Sequence, residues 1–213
     1  MKGLVLADIS VAIAGEQLFS RLSVTVPPGG IATVIGPSGS GKSTLLAYVG
    51  GFLEPAFRAS GKVRLNDREL TGLPPEQRGV GILFQDDLLF PHLSVGGNLA
   101  FGLDATVSGR AKRRAAVEEA LEQAGLAGFH DRDPTTLSGG QRARAALMRT
   151  LLAQPEGLLL DEPFSKLDRD LRNEFRGFVF SHARSRGLPT LMVTHDVEDA
   201  EAAGGEVIDL LRF

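Results

Sequence analysis

The chain has 213 residues, enough for one compact domain with a substantial core, and residues 1–213 are read as a single domain. Its 23 Lys and Arg against 26 Asp and Glu leave a net charge of −3, so no global basic field exists to hold nucleic acid, and no nucleic-acid partner is expected. The lack of cysteine excludes disulfides, thiolate metal sites and a thiol nucleophile, and no apolar run approaches the roughly 20 residues that a membrane-spanning helix needs.

In chain order, Leu4, Leu6 and Ile9, then Leu18, Leu22, Val24 and Val26, alternate with polar residues and predict two short antiparallel strands. Asp8 comes too early to leave room for the apolar core of a secretory signal, so any membrane role is expected to come through a partner. Pro27-Pro28-Gly29-Gly30 breaks the alternation, and the apolar run 31–35 predicts a buried strand, followed by a Gly-rich turn and a helix over 44–49. Residues 63–70 suggest a hairpin, with Asn66-Asp67 a weaker turn signal than Asn-Gly. Charges and alanines at helical spacing predict a helix over 110–123, with Gly125 as its stop. A second helix follows Ser138 and runs to about residue 154, where Pro155 and Gly157 close it. Residues 158–161 and 191–194 are short apolar runs ending in polar residues, as in buried parallel strands whose C-terminal ends face a ligand, and a helix over 168–186 separates them. The expected architecture is an α/β core with a mainly parallel sheet, an N-terminal antiparallel β region and an inserted helical lobe over about 86–154.

Gly36-Pro37-Ser38-Gly39-Ser40-Gly41-Lys42-Ser43, followed by Thr44, fits the phosphate-loop pattern G-x-x-x-x-G-K-[ST] and lies between a predicted strand and a predicted helix. Its glycines let consecutive backbone N–H groups face one anion, and the helix N-terminus adds partial positive charge. Lys42 is expected to reach the β- and γ-phosphates and Ser43 to ligate Mg²⁺. Asp161 and Glu162 close a predicted buried strand; Asp161 is the natural outer partner of the Mg²⁺, and Glu162 can act as general base on the attacking water. ATP and Mg²⁺ are the expected ligands.

Leu137-Ser138-Gly139-Gly140-Gln141, followed by Arg142-Ala143-Arg144, resembles the signature motif of the ABC ATPase family; on physical grounds alone, a Ser and two glycines at a helix N-terminus make a second anion cradle. In that family the second cradle closes over the nucleotide held by another copy, which implies a head-to-tail dimer with two shared sites. The resemblance covers the chain from Leu4 to Leu210. It implies that Gln85 touches Mg²⁺ or the lytic water and senses a permease. It also implies that Ser165-Lys166-Leu167-Asp168 is the loop on the dimer seam, with Asp168 near the nucleotide, and that His195 contacts the γ-phosphate. Lys166 is a departure, because alanine is usual there. Residues 83–95 are similar to importer-type ATPases for small solutes, and the four apolar residues Leu88, Leu89, Phe90 and Leu93 are candidates for a groove that receives a permease helix.

The implied function is an ATP-hydrolysing subunit that couples dimer closure to solute transport through a transmembrane permease and, through it, a secreted solute-binding protein. The implied location is peripheral, on the cytoplasmic face of the cell membrane. The chain ends soon after its last predicted strand, so no C-terminal regulatory domain is expected. The competing reading is a soluble ABC ATPase in DNA repair or translation, whose relatives carry long coiled-coil insertions or paired cassettes that this sequence does not show. One departure bears on affinity: the family stacks an aromatic residue on adenine shortly after the first strand, and here Ile13 lies nearest that place, with Phe19 a candidate substitute whose position reads as a core strand.

Overall fold

The spacing of the first apolar residues requires a slip in the strand, because Leu6 and Ile9 lie three apart where strict alternation would place them two or four apart. In the computed structural model, which describes residues 2–213, β1 (Leu4–Ile13) makes that slip at Asp8, whose φ is 51°. The register against β2 (Glu16–Val26) jumps between Leu6 and Ile9, and Arg21 of β2 has φ 56°. These bulges keep Leu4, Leu6, Ile9, Val11, Phe19, Leu22, Val24 and Val26 on the buried face.

The predicted strand at 31–35 is β3 (Ile31–Ile35), and the helix after the Gly-rich turn is α1 (Lys42–Gly50), which begins two residues earlier than expected. The predicted hairpin is β4 (Phe57–Leu65) with β5 (Arg68–Glu69); Asn66 and Asp67 both take left-handed angles, φ 49° and 68°, the geometry of a tight two-residue turn. β2, β1, β4 and β5 form one antiparallel sheet in that order.

β6 (Val80–Leu83), α2 (Val95–Phe101), α3 (Arg110–Gln123), α4 (Gly139–Leu152), β7 (Gly157–Asp161), α5 (Arg169–Ser185), β8 (Thr190–Thr194), α6 (Val197–Ala203) and β9 (Val207–Asp209) complete the chain. The second sheet is wholly parallel, in the order β6-β7-β8-β3-β9. Its residues face alternately. Leu158, Leu160, Met192 and Ile31 join a core with α2, α3, α4 and α5, whereas Leu159, Leu191, Val193, Ala32 and Val34 join a core with α1 and the antiparallel sheet. Burial on both faces explains why these strands read as continuous apolar runs. In β6 the side chain is dispensed with at Gly81: a Cβ there would come within 2.6 Å of Thr150 Cγ2, so α4 packs against the sheet only because the position is glycine.

Two buried polar networks hold the loops that follow the parallel strands. Asn98 of α2 accepts from the Phe90 N–H and donates to the carbonyls of Phe90, Leu93 and Ser94, stitching the segment after β6 to the helical lobe. Asp199 of α6, only 1% exposed, accepts from Arg172 Nε and Nη2 at 3.1 and 2.6 Å, from Arg176 Nε at 2.5 Å and from Thr194 Oγ1 at 3.1 Å. This network ties the end of β8 to α5. Replacing Asp199 with Ala leaves the buried Arg176 guanidinium without its main counter-charge and is expected to lower stability by about 3–5 kcal/mol, read as a shift in the urea midpoint without a change in slope.

Candidate active site

Parallel pairing brings the C-terminal ends of β6, β7, β8 and β3 to one edge, Leu83 beside Leu160, Asp161 beside Val193, and Thr194 beside Ile35. The residues that follow these ends are Gln85, Glu162, His195 and the phosphate loop. A cavity of about 550 Å³ opens there, lined by Ser38, Gly39, Gly41, Lys42, Ser43 and Thr44 of the loop and helix, by Gln85, Asp161 and Glu162, and by the apolar Ile13, Leu18 and Phe57. That volume suits a drug-sized or nucleotide-sized ligand.

The loop is shaped for an anion. Gly39 and Gly41 take φ 83° and 96°, which L side chains rarely adopt, and a Cβ at Gly41 would meet the Phe19 ring at 3.1 Å. The first intrahelical bond of α1 runs from Leu45 N–H to Gly41 O, so the N–H groups of Lys42, Ser43 and Thr44 stand at the helix start without helical acceptors. The Ser40 hydroxyl is buried in the loop and has no hydrogen-bond partner among the described residues. Lys42 is 5% exposed, and its ammonium donates to the carbonyls of Gly36 and Pro37 at 2.8 and 2.9 Å, with Glu162 Oε1 at 3.8 Å.

Ser43 Oγ donates to Asp161 Oδ1 at 2.9 Å, bringing a hydroxyl and a carboxylate together across 118 residues of sequence. Both are hard oxygen donors of the kind that hold Mg²⁺. Glu162 has φ 44°, a left-handed angle for a non-glycine residue, and its N–H donates to Val193 O at 3.0 Å. Its carboxylate meets His195 Nδ1 at 3.0 Å, so the histidine reaches the cavity through Glu162.

The other expected residues lie elsewhere. Ser138 caps α4: its hydroxyl accepts from Gln141 N–H while Gln141 Oε1 accepts from Ser138 N–H, and the N–H groups of Gly139 and Gly140 lie between them. None of residues 138–141 lines the cavity. Asp168 caps α5 by accepting from Leu171 N–H and is also absent from the lining. Lys166 pairs with Asp86, next to Gln85. Phe19 is packed beneath the loop, not in the cavity. Sequence reasoning missed Leu18 and Phe57, and also missed Arg149, which donates to the carbonyls of Leu88 and Asp87 behind Gln85. Only strand pairing reveals Phe57, which sits opposite Ile13 in the β1–β4 register.

Burial pushes the Asp161 carboxyl above the usual carboxylate range, with neighbouring Glu162 adding to the rise and the Ser43 hydroxyl and Lys42 opposing it. A folded-state pKa above the unfolded one means that the ionised carboxylate costs stability at neutral pH, a cost relieved as pH falls through the folded pKa. Asp161→Asn is therefore expected to raise the melting temperature of the ligand-free protein at pH 7, and the gain should shrink toward acid pH; a lower melting temperature at pH 7 would contradict this.

The ABC transporter family model matches residues 19–165. The chain is similar to the uncharacterized ABC transporter ATP-binding protein YnjD of Escherichia coli, 49% identical over 206 residues that cover 97% of this chain and 94% of YnjD. It is similar to the sulfate/thiosulfate import ATP-binding protein CysA of Mycobacterium tuberculosis, 41% identical over 197 residues, 92% of this chain and 55% of CysA. The CysA of Synechococcus elongatus is 40% identical over 206 residues, 97% of this chain and 59% of that protein. The chain thus spans between half and three-fifths of these CysA proteins and nearly all of YnjD. With most of its length matched by the family and a phosphate loop facing two strand-end carboxylates, this chain belongs to the ABC transporter family, among its ATP-binding proteins.

Proposed function

We propose that the chain is the ATP-hydrolysing subunit of an importer, working as two copies on the cytoplasmic face of a transmembrane permease. The observation that carries the reading is the convergence of the phosphate loop, Gln85, Asp161, Glu162 and His195 at four adjacent parallel strand ends. The loop residues Gly36 to Ser43 and the N–H groups of the first turn of α1 take the phosphates. The Lys42 ammonium is already held at the loop, where it balances charge on the β- and γ-phosphates. Ser43 and Asp161, with Gln85 from the segment after β6, would hold Mg²⁺, which neutralises phosphate charge when bound. Glu162 accepts the proton of the attacking water, and His195 orients that carboxylate through its 3.0 Å contact and would move onto the γ-phosphate when nucleotide is bound.

Dimerisation is supported by the position of residues 138–141 and Asp168, outside the cavity of their own chain. Gly139 and Gly140 at the start of α4 offer free N–H groups to a nucleotide on a second copy. A permease partner is supported by an apolar groove lined by Leu88, Phe90, Phe101 and Ile82, in which Leu88 is 55% and Phe101 70% exposed. Of the four residues expected there, Leu88 and Phe90 line it, Leu93 does not, and Leu89 packs against the helix-side core instead. Among the described residues no helix is long and apolar enough to cross a membrane, so the solute's path belongs to that partner, and a secreted solute-binding protein would act through it.

Glu162→Gln keeps the side chain's shape and removes the base, so hydrolysis is expected to fall by roughly 10²–10⁴-fold while ATP binding persists; the variant should also accumulate an ATP-dependent dimer on gel filtration. Lys42→Ala is expected to weaken Mg-ATP binding and abolish turnover, and unchanged phosphate release would sink the assignment. Co-purification from membranes with an integral partner tests the transport reading against a soluble ATPase.

A further inference from the structure

The cavity has two chemically different ends. The loop, Lys42, Ser43 and the strand-end carboxylates make the polar end, and among the described residues Ile13, Leu18 and Phe57 are the large apolar side chains that line the other. A nucleoside triphosphate has the same division, a charged chain and a flat base with two π-faces. Ile13 cannot stack on a base. Phe19, the other aromatic near the loop, is fully buried with its ring turned to the underside of Gly41. Tyr48 is also engaged, its hydroxyl donating to Gly61 O at 2.9 Å. Among the described residues Phe57 is the only aromatic side chain that lines the cavity.

Its placement follows from the sheet. β4 begins at Phe57, and antiparallel pairing sets Phe57 directly opposite Ile13 at the far end of β1. Directly opposed residues share a sheet face, so the two side chains form one surface toward the cavity. Phe57 is partly buried and packs against the core beneath the antiparallel sheet, which limits its freedom before any ligand arrives. An aromatic ring held in this way at the apolar end of a phosphate cavity is suited to base stacking.

We propose that Phe57, from the start of β4, is the residue that stacks on the nucleotide base, taking the role for which Ile13 lacks a ring. The proposal rests on the reading of the cavity as a nucleotide site. Stacking uses a π-face that every base has, so Phe57 contributes to affinity for adenine and guanine nucleotides alike and does little to choose between them. Inorganic tripolyphosphate, which has no base, does not use it.

Isothermal titration of the full chain with Mg²⁺ and the β,γ-imido analogues of ATP and GTP, alongside Mg-tripolyphosphate, tests this. Phe57→Ala is expected to weaken both nucleotide analogues by about tenfold, equivalent to about 1.4 kcal/mol, and to leave tripolyphosphate binding unchanged. Phe57→Leu, which keeps most of the packing volume and guards against a folding defect in the alanine variant, should lose nearly as much, while Phe57→Tyr should bind like wild type. Wild-type affinity in Phe57→Leu would overturn the proposal by reducing the ring to an apolar filler. So would a parallel loss of tripolyphosphate, which would mean the substitution acts through the phosphate loop. If the folded wild type bound tripolyphosphate but neither nucleotide analogue, the nucleotide-site reading itself would fail, and the stacking role with it.

Discussion

The parallel ladder of β6, β7, β8 and β3 is the constraint on which the site depends. Each neighbouring pair is in register to the last residue of the strand, so four chains of backbone leave the sheet at nearly the same level. Both faces are covered, which fills the strands almost wholly with apolar side chains, buried Thr33 being the exception in mid-strand, and leaves the charged and amide groups to the ends. Gln85, Glu162, His195 and the phosphate loop come together because they are the first residues free of that requirement. Their convergence is a consequence of core packing, achieved without any contact in sequence.

The same edge holds charged groups and a strained backbone position in fixed geometry. Lys42 is buried against two loop carbonyls, Asp161 is held above its ordinary pKa by burial, and Glu162 occupies a left-handed backbone angle. Groups fixed in this way need little rearrangement when a charged substrate arrives, which is the form that electrostatic preorganisation takes. The cost is met elsewhere, in two apolar cores and in the Asp199 network that pins the end of β8 to α5.

The segment after Gln85 is held almost entirely by the helical lobe and the loop after β7. Arg149 and Arg142 of α4 bind its carbonyls and the Asp87 carboxylate, Asn98 of α2 binds its far end, and Lys166 pairs with Asp86. Burial raises the Asp87 carboxyl, against the pull of Arg142, so this pair is partly desolvated and less screened than a surface contact. A displacement of α4 relative to the sheet therefore carries this segment with it. The exposed Leu88 and Phe101 lie on the groove bordering the same segment, which puts an external surface and the cavity on one mechanical unit.

The sequence alone determined what local chemistry dictates. The phosphate loop was legible because its glycines, lysine and serine answer to fixed offsets, and the buried strands at 31–35, 158–161 and 191–194 because two-sided burial writes a continuous apolar run. The start of α4 was legible from Ser138, whose side chain does cap it, whereas the cap that Asp168 makes on α5 emerged only from the structure. What escaped was short or non-local. β6 has four residues and one of them is a glycine needed for helix packing, β9 has three, and α2 and α6 have seven each, too few for a period to declare itself. Asp8 and Arg21 slip the strand register to keep the core in phase, a detail that only pairing exposes. The apolar wall of the cavity was only partly legible: the resemblance pointed to Ile13, but Phe57 lies 44 residues further on in the numbering, and nothing but the antiparallel register of β1 and β4 sets one against the other. Offsets along the chain decide which groups can do chemistry, whereas hydrogen-bond register across the sheets decides which of them meet.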